Sequence, residues 1–172
     1  KLLNEAKLEE KGIQQEEKNV CKVSFAMDAY LPEKFIPSQA QRIDAYKKIS
    51  FIETTDDYKD IFDELSDRYG KLPAPARNLL RISYIRSAAS ACGLESVEQK
   101  ENSIMFVSSK LHVPTWIELA HIYNGKLLLN LSSKPYVCYR MRKGTDTLEF
   151  LMELFAKYIQ INEEKKLNNT VN

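Results

Sequence analysis

The run from Thr54 to Gly70 constrains this chain more than any other stretch. Tyr58, Ile61, Phe62, Leu65 and Tyr69 recur at i, i+3, i+4, i+7 and i+11, which is the spacing of one face of an α-helix. Thr54 and Thr55 stand where a helix start needs a side-chain oxygen to satisfy its free amides. Asp56 and Asp57 fall in the first turn, where the helix dipole favours negative charge. Gly70 follows the last apolar position, where a left-handed residue ends a helix at least cost. An amphipathic helix of this kind must bury its stripe against a second layer.

The other face of the same helix carries Asp57, Asp60, Glu64 and Asp67. Arg68 comes four residues after Glu64, a spacing that predicts an ion pair worth about 0.3 kcal/mol. Taken alone, this face is either a solvated acidic surface or a docking face for a basic partner. Ionic contacts of the second kind supply orientation and specificity more than affinity.

The neighbouring segments supply partners for the stripe. Val23, Phe25 and Met27 alternate with polar or small residues, which predicts a half-buried strand. Pro32 and Pro37 then keep the chain extended. Ser38 is positioned to cap a helix through about Ile52, with Ile43, Tyr46 and Ile49 expected inward. After Leu72-Pro73-Ala74-Pro75, a further helix is predicted from about Ala74 to Cys92, stopping at Gly93 and carrying Ala76, Leu79, Leu80, Ile82 and Ile85.

Beyond Gly93 the period changes from helical to alternating. Strands are predicted at Leu94–Gln99 and Ser103–Ser108 around the polar turn Lys100-Glu101-Asn102. A short helix starts at Pro114, a residue suited to a first helical turn, and ends before Gly125. Leu127, Leu129 and Leu131, then Tyr136 to Met141, read as a hairpin. Thr145 or Asp146 is expected to cap a last helix with Leu148, Leu151, Met152, Phe155, Tyr158 and Ile159 inward, and the polar tail from Asn162 is expected to fray.

Helices first, then strands broken by one helix, predict an α+β fold in which helices pack on a small antiparallel sheet. The first half is helix-rich and an N-terminal helical extension precedes it. Three parts are expected: residues 1–20 as helix or linker, 21–161 as the α+β domain, and 162–172 as the tail. The opening part carries Glu5, Lys7, Glu9, Glu10, Lys11, Glu16, Glu17 and Lys18 with only a short Leu2, Leu3, Ala6 stripe. The chain opens on Lys1 with a charged stretch and no apolar signal core, so a piece of a longer or processed protein is expected.

Composition narrows the function. With 172 residues, one core can hold the chain without disulfides or metals. Lys+Arg 25 against Asp+Glu 24 gives a net charge of +1, unlike the basic footprint of a dedicated nucleic-acid binder. No apolar run approaches the ~20 residues of a membrane span. Cys21, Cys92 and Cys138 lie far apart, as expected of reduced thiols inside a cell.

Signatures of catalysis are lacking. The five glycines, at 12, 70, 93, 125 and 144, stand singly, so no phosphate-binding glycine loop is written in the sequence. No G-x-S-x-G or H-E-x-x-H run occurs. His112 and His121 have no cysteine or carboxylate at metal-ligand spacing and read as edge or surface residues. A thiol enzyme would need one of them to meet Cys92 or Cys138 in the fold. Arg77, Arg81 and Arg86 on the third helix, with Lys134, Arg140, Arg142 and Lys143 around the late hairpin, offer an alternative as a DNA-contacting accessory module of a helicase or translocase, since phosphate binding needs only well-placed cations.

Two stretches carry a family resemblance. Leu31-Pro32-Glu33-Lys34-Phe35-Ile36-Pro37, continuing to Arg42-Ile43-Asp44-Ala45-Tyr46-Lys47-Lys48-Ile49, resembles the L-P-x-x-F/Y-I-P…R-L/I-x-x-Y-K/R-x-I/L run that opens the C-terminal domain of the bacterial transcription-repair coupling factor. Glu64-Leu65-Ser66-Asp67-Arg68-Tyr69-Gly70-Lys71-Leu72-Pro73 resembles that domain's E-L/M-x-D-R-F/Y-G-x-L/P-P signature, with Ser66 replacing an aliphatic residue often found there. Leu2-Leu3-Asn4-Glu5-Ala6 is similar to the helix that leaves the family's motor. The likeness covers about Lys1 to Tyr158 and is sharpest through Leu80.

The resemblance implies a non-catalytic regulatory domain of a cytoplasmic protein that couples transcription to nucleotide excision repair of DNA damage. The parent would be an ATP-dependent, helicase-like DNA translocase. Its ATP and Mg2+ sites lie upstream, so no cofactor is expected within this fragment. The family's terminal domain clamps onto the protein's own UvrB-like module and covers the surface that binds UvrA. RNA polymerase and DNA would be indirect partners, and no membrane is implied. Carried over residue by residue, the contact set is Glu64, Asp67 and Arg68.

Overall fold

The computed structural model describes residues 20–171, so the expected extension over the first nineteen residues lies outside them. The order of elements is β1 (Lys22–Ser24), α1 (Gln39–Ser50), α2 (Thr55–Tyr69), α3 (Ala74–Ala91), β2 (Ser96–Lys100), β3 (Ser103–Val107), α4 (Val113–Ile122), β4 (Leu127–Asn130), β5 (Tyr136–Arg140) and α5 (Thr147–Val171). This is an α+β fold, as the sequence pattern predicts.

The strands form one sheet in the order β1-β2-β3-β5-β4. The β2–β3, β3–β5 and β4–β5 pairs are antiparallel, but β1 runs parallel to β2. The sheet is therefore mixed, where an antiparallel one was expected. The reason is the connection: α1, α2 and α3 all lie between β1 and β2, and this long helical crossover carries the chain back to the end where β1 began.

Register separates the two faces. Val97, Phe106, Val137 and Leu129 align across four strands, as do Gln99, Ile104, Tyr139 and Leu127. Val97, Ile104, Phe106 and Val137 are wholly buried. The core continues through Trp116 of α4, whose ring lies 5.2 Å from Phe106 and 5.6 Å from Tyr158 of α5. Aromatic side chains at this spacing add attraction beyond their buried area.

Two elements differ from their sequence pattern. In α1, Ala45 and Ile49 point inward, while Ile43 is 50% and Tyr46 39% exposed. The helix is turned by polar bonds to the preceding run: Arg42 Nη1 donates to the carbonyls of Ile36 (2.8 Å) and Pro37 (3.0 Å), and the Tyr46 hydroxyl accepts from Leu31 N (2.8 Å). In α5, the helix continues to Val171 instead of fraying at Asn162. Thr115 Oγ1 donates to Asn162 Oδ1 (2.7 Å) and Lys165 pairs with Glu118 (3.5 Å), tying the polar turns to α4.

Helix ends follow the local chemistry. After α3, Gly93 takes φ +77 and Leu94 N reaches back to Ala89 O (3.0 Å) while Gly93 N reaches Ser90 O (3.0 Å). These two bonds close the last turn in the Schellman pattern, and Leu94 drops into the core.

Candidate protein interface

The start of α2 is closed by a reciprocal cap. Thr54 Oγ1 accepts from Asp57 N at 3.1 Å, and Asp57 Oδ2 accepts from the amides of Glu53 and Thr54, both at 3.1 Å. Those backbone donors hold the Asp57 carboxyl below its ordinary pKa. Asp57 thus serves the helix itself more than any outside partner.

The far end of α2 is fixed by the run over residues 31–41. Tyr69 meets Phe35 edge to face at 5.8 Å and its hydroxyl donates to Gln41 Oε1 at 3.2 Å. Gly70, at φ +88, ends the helix with its amide on Ser66 O (2.9 Å). Leu31, Phe35, Ile36, Leu65 and Leu72 are buried. The two motifs that carry the family resemblance therefore pack on each other, and most of their residues are scaffold.

What this scaffold presents is Glu64, Asp67 and Arg68. Asp67 and Arg68 are exposed and Glu64 is half-buried. The expected Glu64–Arg68 pair is replaced. Glu64 Oε1 accepts from Lys48 Nζ of α1 at 2.8 Å, and Lys48 also lies 3.6 Å from Asp44. The Glu64 bond, foremost, raises the Lys48 pKa above its ordinary value. Arg68 instead stands over the Tyr69 ring, 5.2 Å from its centroid, a cation–π contact. Nothing in the spacing of α2 announces Lys48, because it sits sixteen residues before Glu64 on another helix.

Beside this face, Phe51 is 77% exposed. It borders a cavity of about 200 Å3 with Lys48, Ile52, Asp57, Asp60 and Ile61. The acidic face thus has an apolar margin, which the helical pattern of α2 alone does not reveal.

Several of the other candidate residues are committed to the fold. Arg77 Nη1 donates to Leu72 O (3.1 Å) and Arg81 Nη1 pairs with Asp146 Oδ2 (3.1 Å), so both brace the fold. His112 Nδ1 lies 2.7 Å from Thr115 Oγ1, whose own hydrogen goes to Asn162. Burial raises the Cys21 thiol to about 11 and the Cys92 thiol to about 12, which works against the thiolate that nucleophilic chemistry requires. A cavity of about 540 Å3 is lined by Glu53, Ser87, Ser90, Ser109, Lys110 and others, with neither histidine nor cysteine among them. No group of three or more His, Cys, Asp or Glu side chains suited to a metal occurs among the described residues. None of the described helices is long and apolar enough to cross a membrane.

Comparison with known proteins places this chain in a family. The sequence profile of the TRCF domain matches residues 25–115, the span that holds both motifs and all of α2. The chain belongs to the TRCF domain family. The transcription-repair-coupling factor of Staphylococcus aureus (strain NCTC 8325 / PS 47) is 36% identical to this TRCF domain over 173 residues, covering 95% of the chain and 15% of the relative. That of Escherichia coli (strain K12) is 33% identical over 141 residues, covering 81% of the chain and 11% of the relative. A crystal structure of the C-terminal domain of transcription-repair coupling factor superposes with a TM-score of 0.74 at 25% identity, covering 85% of this chain and 96% of that one. This TRCF domain therefore spans a small share of the length of its curated relatives.

Proposed function

We propose that this TRCF domain is a detachable clamp that regulates a larger transcription-repair coupling factor. Its α2 face docks on the UvrB-like module of the same protein and covers the surface that UvrA binds. Glu64, Asp67 and Arg68 make the contact. The larger protein, in this reading, is an ATP-driven DNA translocase that acts on RNA polymerase stalled at damage, with its ATP and Mg2+ sites upstream.

The observation that carries the reading is the exposure of Asp67 and Arg68 at the end of a helix whose last turn is rigidly held. A regulatory clamp must both close and open. Moving such an equilibrium from 1:99 to 99:1 takes about 5.5 kcal/mol of differential binding. A small charged surface suits that range, because exposed ionic contacts orient a partner without locking it.

The test pairs two measurements. Mixing this chain with the separately produced UvrB-like module should give a complex that Glu64→Ala with Asp67→Ala weakens about tenfold or more, with unchanged circular dichroism. In the full-length protein the same double substitution should increase capture of UvrA in a pull-down. Unchanged UvrA capture would sink the clamp.

A further inference from the structure

The β4–β5 hairpin combines three features that the α2 clamp does not use. β4 is the last strand of the sheet, and no described strand pairs with its outer side. Leu127 is buried and Leu129 half-buried, but Leu128 is 65% exposed and Leu131, just beyond the strand, 58%. Charge is also segregated here. Between Glu118 and Asp146 the chain has no Asp or Glu, but it has Lys126, Lys134, Arg140, Arg142 and Lys143. All five are exposed, and none forms an ion pair among the described residues.

A chain of net charge +1 thus carries +5 in this one stretch, leaving −4 for the rest. The sheet face behind the edge continues the pattern. Leu128, Cys138 and Met105 align across β4, β5 and β3, with Tyr136 and Val107 one pair further along. Their alternation puts them opposite the buried Val137 and Phe106, away from the helices.

Unblocked edge strands pair with other strands unless charge, proline or covering structure prevents it. From Leu127 to Ser133 the edge has no charge and no proline. We propose that the β4 edge receives an extended polypeptide strand whose apolar residues alternate with carboxylates. Main-chain bonds to β4 would give affinity, Leu128 would take an apolar side chain on the outer face, and the cations flanking the strand would take the acids. A second copy of this chain is disfavoured, since two +5 hairpins repel. A nucleic acid would meet the cations but leave the leucines and the open backbone unused.

The experiment is an NMR titration of this chain, isotopically labelled, with a blocked hexapeptide of alternating valine and glutamate. The amide signals of Leu127 to Leu131 should shift, and added salt should weaken binding. Lys134→Glu with Arg142→Glu should weaken it about tenfold. The same peptide N-methylated at alternate residues keeps its charge and loses its strand bonds, so it should not bind. Equal binding of the methylated peptide would reduce the surface to simple charge attraction and overturn the proposal. So would silence of the β4 amides, or tighter binding of oligothymidylate at the same residues. None of these outcomes bears on the α2 clamp, which shares no residue with the hairpin.

Discussion

Asp57 shows how one side chain can belong to two patterns and serve one. It lies on the acidic face of α2, yet its carboxylate is spent on the amides of Glu53 and Thr54. Because the folded-state pKa is lowered, the bond contributes stability that is present above the unfolded-chain value of about 3.9. It is lost as pH falls through the folded-state pKa. Asp57→Asn should therefore lower stability at neutral pH and flatten the acid limb of the stability curve. Urea denaturation from pH 7 down to pH 2, or about that range, reads this directly; an unchanged acid limb would show that the cap carries no charge-linked stability. Thr54 was legible, beside Thr55, as a residue that opens the helix, but Asp57 was legible only as a first-turn charge and not as the other half of the cap. Lys48 was not legible as the partner of Glu64, because that pairing depends on where two helices meet.

Among the elements, α2 was the most readable and α1 the least. The apolar stripe of α2 has a strong period, and both its ends are marked by residues with local reasons to be there. In α1, the period suggested Ile43 and Tyr46 inward, but Arg42 and Tyr46 bond back to the Leu31–Pro37 run and turn the helix. Polar bonds to a non-helical segment leave no trace in a 3.6-residue pattern. The same holds for α5, whose polar last turns are tied to α4 by Thr115 and Glu118. Phe35 tests the claim that the first motif is scaffold for the second. It is nearly buried and packs on Tyr69. Phe35→Ala should cost about 3 kcal/mol in a denaturant titration. If the clamp proposed above holds, it should also weaken docking of the UvrB-like module although residue 35 is outside the proposed contact set. Full docking by a destabilised variant would separate the two motifs.

At the scale of the whole molecule, class and order of elements were readable and the direction of one strand was not. β1 became parallel because of what its long connection does in space, a consequence of topology and not of the alternation of Val23, Phe25 and Met27. Interdomain charge is of the same kind, since it depends on what each face already holds. Glu64 is held by Lys48 within the domain, so the partner proposed for the α2 face must compete with that lysine or share the carboxylate with it. Removing the internal cation makes the α2 face more negative and leaves Glu64 free. Lys48→Met keeps the aliphatic stem and should strengthen the clamp: tighter binding to the UvrB-like module and less UvrA captured by the full-length protein. That is opposite in sign to Glu64→Ala with Asp67→Ala. Pull-downs of both variants beside the unaltered protein decide it. If both variants release UvrA alike, Lys48 and Glu64 act as a structural pair, and the contact must rest on Asp67 and Arg68 alone.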